Sequence, residues 1–423
     1  MYKFHLKTFP NGLRLLMVPS KESLSFKTMV LVNTGANFET KNINGISHLL
    51  EHMCFKGTKR RPSNLDITKE LDTIGGQYNA FTDRYLTGYY AYVAKEYKHL
   101  ALDIVSDIYL NSQFPEKELE KEKRVIIEEI NMYQDIPQSY VSELWDKLLY
   151  GNQPSGWPIS GTKENIKKFK RKDLFNYYQR QYKSHSTLIV VSGNFSEKDI
   201  IKLVAKYFQN ISIGKAQRQS IIREKQNSPQ VLLNYKKIDQ SHIILGVRGM
   251  KRADKRRYAL DILNAVLDGG MSARLFQLVR DKLGAAYDVH SSTSYYPNYG
   301  DWVIYAGIDS TRLSEVMKDI LREWQGFKRK LLNPQEVKKA KDYLKGSITL
   351  TIENVHNVAS IFSTQTLLDT KFELPAQYFE KINKVTAHDL RRVAQDLLRP
   401  QNLNLVIVGP HKNKVSFQRL LTI

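Results

Sequence analysis

The run His48-Leu49-Leu50-Glu51-His52 is the part of this chain whose residue types and spacing most directly suggest chemistry. On a helix, successive residues turn by about 100°, so His48 and His52 stand one turn apart on one face with Glu51 beside them. Two imidazoles so placed can grip one divalent metal, and a carboxylate between them can reach a water that the metal polarises. Zinc is the natural ion, because two histidines, one carboxylate and an open fourth position make a catalytic zinc arrangement. The competing reading is a helix that turns three polar residues to solvent. The flanking Ile46, Leu49, Leu50, Met53 and Phe55 argue against it, since they give the helix a face to bury.

A third protein ligand is needed. The acid-rich stretch Pro115–Tyr133 offers Glu116, Glu118, Glu120, Glu122, Glu128 and Glu129. Glu122 and Glu129 are two helical turns apart and share a face. Val125-Ile126-Ile127 between them mark the stretch as packed. Periodicity does not choose Glu129 over Glu128.

These residues need a scaffold, and the pattern of the chain supplies one. Strands are expected at Phe4–Thr8 and Leu13–Pro19 around the turn Pro10-Asn11-Gly12, and at Ser25–Asn33. The candidate helix spans Gly45–Lys56, and a second helix over Asn64–Ile74 stops at Gly75-Gly76. Strands Gln77–Thr82 and Leu86–Val93 follow, then long helices near 96–111, 116–135 and 138–150. A strand at Thr187–Ser192 and a helix at Glu197–Phe208 close this half, before a polar stretch of little periodicity. The second half repeats the order, with strands near 230–235, 242–249, 286–295 and 301–307, long helices, and a last strand at Asn402–Val408. The closing strands Leu188-Ile189-Val190-Val191-Ser192-Gly193 and Leu405-Val406-Ile407-Val408-Gly409 are alike, pointing to an internal duplication. The expected division is 1–210, a linker at 211–228, and 229–423. The expected class is α+β: two homologous α/β sandwich domains, each a mostly antiparallel sheet covered by helices.

Composition fits this picture. The 423 residues are 42% hydrophobic and 11% aromatic, which excludes a disordered chain and suggests more than one domain. A single cysteine, Cys54, excludes a disulfide framework and a cysteine-rich zinc module. No long apolar run or signal-peptide core is present, so a cytoplasmic protein without membrane insertion is expected. The net charge of +21 raises a nucleic-acid partner, but the basic residues are scattered, with short clusters at Lys59-Arg60-Arg61, Lys167–Lys172 and Lys251–Arg257. Nucleic acid is therefore not the expected partner.

The sequence around the histidines resembles peptidase family M16, the inverted zincins with an H-x-x-E-H helix. Gly45-Ile46-Ser47 precedes the motif and Met53-Cys54-Phe55-Lys56-Gly57-Thr58 follows it, as in that family. The resemblance implies a third zinc ligand 77 positions past the second histidine, which is Glu129 within Arg124-Val125-Ile126-Ile127-Glu128-Glu129-Ile130. It likewise implies His48 and His52 as ligands, Glu51 as general base and Glu122 as a supporting acid, with one Zn2+ per chain.

A second resemblance lies in Gly269-Gly270-Met271-Ser272-Ala273-Arg274-Leu275-Phe276-Gln277, Arg280, and Gly284-Ala285-Ala286-Tyr287. It implies that Arg280 and Tyr287 bind the substrate and stabilise the developing oxyanion. The strand Tyr78-Asn79-Ala80-Phe81-Thr82 resembles the family's edge strand, on which an extended peptide is added as a further strand along Asn79, Ala80, Phe81 and Thr82. Aligning Pro115–Ile130 on Asn333–Ile348 sets Ala340 against Glu122 and Ser347 against Glu129, and no histidine lies between His242 and His290. One half then carries the metal and the other the Arg/Tyr pair.

The implied activity is zinc-dependent endopeptidase or oligopeptidase hydrolysis of short or unfolded peptides in a closed chamber. Family members close a clamshell from four such domains, so this chain would form half of one and pair as a homodimer. The alternatives are a heterodimer with a paralogue, or a non-catalytic subunit that keeps only the fold.

Overall fold

The computed structural model describes residues 3–217, 219–369 and 372–421, with the side chain of Tyr287 outside them. Two compact units result, each built on one sheet. In the first, β1 (His5–Thr8), β2 (Arg14–Pro19), β3 (Ser25–Val32), β4 (Gln77–Thr82), β5 (Thr87–Ala94) and β6 (Thr187–Gly193) pair in the order β1-β2-β6-β3-β5-β4. Only β2 and β6 run parallel. Every residue of β6 is buried, as its unbroken apolar run demands of a central strand.

The second sheet contains β7 (Gln230–Tyr235), β8 (Gln240–Arg248), β9 (Ala286–Tyr295), β10 (Gly300–Asp309) and β11 (Leu403–Gly409) in the order β7-β11-β8-β10-β9. Strand for strand this repeats β2-β6-β3-β5-β4, including the single parallel pair, β11 with β7. The duplication expected from the sequence is thus present as topology, and the α+β class holds.

The compact units do not follow the linear division at 211–228. Residues 133–156 belong to the second unit and 351–372 to the first. The reason lies in packing. Helix Pro137–Tyr150 sends Trp145 into the second unit, where its indole N–H donates to Asp301 Oδ2 at 3.0 Å. Its ring fills the space above Gly246 of β8, where any Cβ would lie 2.7 Å from it. Helix Val355–Leu368 lies on the first sheet, with His356 between Ser25 Oγ (2.8 Å from Nε2) and Ser192 Oγ (2.9 Å from Nδ1). Each helix is therefore claimed by the sheet its buried side chains fit, whatever its place in the chain. Among the described residues, no helix is long and apolar enough to cross a membrane.

Candidate metal centre

The histidines sit on helix Ile46–Cys54, within the expected Gly45–Lys56. Ile46, Leu49, Leu50 and Met53 are fully buried against the first sheet's core, which turns His48, Glu51 and His52 to the other side. Gly45 starts the helix at φ +97°, and a Cβ there would lie 2.7 Å from Gly161 Cα, so both backbone and space require glycine. The facing helix Glu116–Asp135 buries Leu119, Glu122, Ile126 and Ile130. Val125 departs from the packing expected of it, being 49% exposed. That periodicity leaves Glu129 partly exposed beside the histidines, and leaves Glu128 exposed and bound to Asn131 instead.

Glu129 Oε2 lies 3.8 Å from His48 Nε2 and 3.6 Å from His52 Nε2. One ligand atom from each of the three residues falls within 4.8 Å of the other two. These separations are too long for hydrogen bonds. They approach the edge, roughly 3.4 Å, of a tetrahedron whose corners stand about 2.1 Å from a central zinc. Two imidazole nitrogens and one carboxylate oxygen around a shared point fit zinc with a position left open. Of the glutamates that periodicity leaves open, Glu129 is the one whose carboxylate lies beside both histidine rings.

The surroundings fit the same ion. His52 Nδ1 lies 3.1 Å from Glu122 Oε2, and Lys56 Nζ donates to Glu122 Oε1 at 2.6 Å. Burial opposes the Glu122 anion, but the hydrogen bonds from His52 and Lys56 outweigh it and hold the carboxyl below its ordinary range. An anionic Glu122 accepts a hydrogen bond from Nδ1–H, so that in the neutral ring Nε2, the nitrogen beside Glu129, carries the lone pair a metal would use. Burial disfavours charge on His52, while the bond to Glu122 and the nearby carboxylates Glu51, Glu129 and Glu122 reverse that and raise it. Burial, then the neighbouring His52, depress His48 to about 3, so it stands neutral, as a metal ligand must.

Glu51 is 9% exposed and accepts from Thr82 Oγ1 at 2.5 Å. Burial raises its carboxyl above the ordinary range against that bond and the charge of His52. Thr82, expected only as part of a substrate strand, thus holds Glu51 from the end of β4. Asn79, Ala80 and Phe81 lie on β4, the sheet's edge, with β5 as neighbour on one side. Asn79 Oδ1 takes the Ala80 N–H at 2.8 Å, and the Phe81 ring lies over Gly88 of β5.

Arg280 belongs to the second unit, on the helical turn Phe276–Lys282, its guanidinium 5.0 Å from the Phe276 ring centre. It lines an open cavity with Asp239, Gln240 and Asp309. Tyr287 stands on β9, and its side chain lies outside the described residues. Lys56 and Glu39 were not singled out from sequence. For Lys56 a signal existed, since it stands one turn beyond His52. For Glu39 there was none.

Known proteins resemble this chain over nearly its whole length. The family profile described as insulinase, peptidase family M16, matches residues 18–163, and that described as the peptidase M16 inactive domain matches 168–344. The uncharacterized zinc protease YmxG of Bacillus subtilis is 36% identical over 97% of this chain and 99% of its own length. An uncharacterized zinc protease of Streptomyces coelicolor is 33% identical over 96% of this chain and 90% of its own length. Among solved structures, a protease from Helicobacter pylori matches with a TM-score of 0.90 at 22% identity, covering 97% of this chain and 100% of that one. A structure described as the peptidase M16 inactive domain from Pseudomonas fluorescens gives 0.87 at 18% identity, covering 97% and 99%. These two likenesses speak to the fold.

Proposed function

The chain belongs to peptidase family M16, and on that premise we propose that it is a zinc-dependent endopeptidase or oligopeptidase acting on short or unfolded peptides. The observation that carries the reading is the convergence of His48 Nε2, His52 Nε2 and Glu129 Oε2 with the buried Glu51 carboxylate on the same helix. His48, His52 and Glu129 would hold one zinc per chain, which when bound would supply Lewis acidity to a water and to the scissile carbonyl. Glu122, backed by Lys56, orients His52. Glu51 removes the proton of the attacking water as its oxygen bonds to the carbonyl carbon, then gives that proton to the amine nitrogen as the C–N bond breaks. Its raised pKa suits this double duty, since a carboxyl titrating nearer neutrality both accepts and returns a proton readily. Thr82 keeps the accepting carboxylate in place.

The unpaired edge of β4 suits an extended peptide, which would gain backbone hydrogen bonds along Asn79–Thr82 once Asn79 releases the Ala80 N–H. Arg280 and Tyr287 take the substrate carbonyl or terminal carboxylate. Because one chain carries both the metal set and this pair, a homodimer in which the two sets meet across copies suffices, without an inactive paralogue. The intact set speaks against a subunit that keeps only the fold.

The test is a Glu51→Gln variant assayed for zinc content and for cleavage of a quenched peptide. We expect metal content to stay at the wild-type level and turnover to fall at least 100-fold, the usual worth of a general base. Equal turnover in the two proteins would remove Glu51 as the base.

A further inference from the structure

The two histidines are held differently. His52 has its Nδ1 fixed by Glu122, as metal-binding imidazoles usually do. His48 Nδ1 is buried and has no hydrogen-bond partner among the described residues, so no hydrogen bond there sets the ring's direction beyond its edge-to-face contact with the ring of His52. What remains to aim His48 is the backbone that carries it, and one side chain grips that backbone. Glu39, 1% exposed, accepts from the Gly45 N–H at 2.8 Å and the Asn44 side-chain amide at 3.0 Å through Oε2, and from the Ser47 N–H at 2.8 Å through Oε1. Its two oxygens therefore span the start of the helix, and the next residue is His48.

We propose that Glu39 is a positioning residue for the metal centre, clamping the first turn of the histidine helix so that His48 Nε2 meets the point shared with His52 and Glu129. The inference rests on the zinc reading above. A short helix with no N-cap side chain of its own leaves amide N–H groups unsatisfied, and here a carboxylate from outside the helix satisfies two of them. The choice of an acid is costly. Burial pushes Glu39 up to about 7 despite the hydrogen bonds from Ser47, Gly45 and Asn44 that pull it down. A neutral residue would avoid that cost, but no neutral side chain offers two acceptor oxygens in one plane and no donor. Glutamine places an N–H₂ against a backbone donor and must give up one side of the grip. A second anchor of the same turn, Ser47 Oγ to Tyr177 Oη at 2.7 Å, holds a side chain rather than the helix amides and serves as the control.

The experiment measures zinc affinity by competition with a chromophoric chelator, and the visible spectrum of the cobalt(II)-loaded protein, for wild type, Glu39→Gln, Glu122→Gln and Tyr177→Phe. Each metal-free protein is first checked for cooperative thermal unfolding. We expect Glu39→Gln to bind zinc roughly 10- to 100-fold more weakly, in the range usual for partners that orient a ligand. Its cobalt bands should shift, while Tyr177→Phe stays within about twofold of wild type. If Glu39→Gln does not fold cooperatively, Glu39→Asp, which keeps both acceptors but shortens the reach, carries the same expectation. Unchanged affinity and cobalt bands in the Glu39 variant, or an equal loss in Tyr177→Phe, would overturn the inference. Absence of zinc binding by wild type would instead remove the reading on which it rests.

Discussion

A hydrogen bond of 2.5 Å from Thr82, at the end of β4, is what holds Glu51, and it makes a sharp prediction at the scale of single residues. That bond favours the Glu51 anion, so removing it in Thr82→Val raises the Glu51 pKa further. The base then stays protonated to a higher pH, and the acid limb of the kcat/KM profile moves toward higher pH while zinc content is unchanged. The kcat should fall about fivefold at neutral pH, the worth of one hydrogen bond of about 1 kcal/mol. A profile that does not move would detach Thr82 from Glu51. At this scale the sequence was informative where spacing carries geometry: one helical turn fixes His48 against His52, and two fix Glu122 against Glu129. It was silent on Thr82 and Glu39, because their contacts join segments far apart in the chain and no periodicity links them.

At the scale of elements, strands and helices followed from apolar periodicity and turn residues, with most boundaries within a residue or two. The ownership of helices did not. Helices Pro137–Tyr150 and Val355–Leu368 pack on the sheet that is not their neighbour in sequence, because the decisive fits, Trp145 over Gly246 and His356 between Ser25 and Ser192, pair residues that no local pattern relates. His356 makes the second of these attachments sensitive to acid. Burial, then the nearby Lys27, lower its pKa to about 4 from the ordinary 6.5. The unfolded chain therefore binds the proton first as pH falls, and the stability His356 contributes is complete above about 6.5 and lost progressively toward 4. Urea unfolding of wild type and His356→Ala should differ by roughly 2 kcal/mol at pH 7.5, with the gap closing by pH 4.5. A constant gap would assign His356 a packing role alone.

At the scale of the whole molecule, one architecture is used twice, and the proposed chemistry is divided between the copies. The helix Pro334–Glu353 repeats Glu116–Asp135 but carries Ala340 and Ser347 where the first copy has Glu122 and Glu129. The proposed division rests on single positions, because a missing ligand, unlike a packing partner, can be read from one residue. It leads to a test of assembly: mixing inactive Glu51→Gln with inactive Tyr287→Phe should restore part of the wild-type activity if each site draws on two copies. No recovery would confine each site to its own chain. The central claim, that His48, His52 and Glu129 together hold one zinc, is tested most directly by counting zinc per chain after dialysis against a weak chelator. Wild type and Glu51→Gln should each retain one, and His48→Ala, His52→Ala and Glu129→Ala none. Full zinc in any of those three, or loss of it from Glu51→Gln alone, would contradict the account.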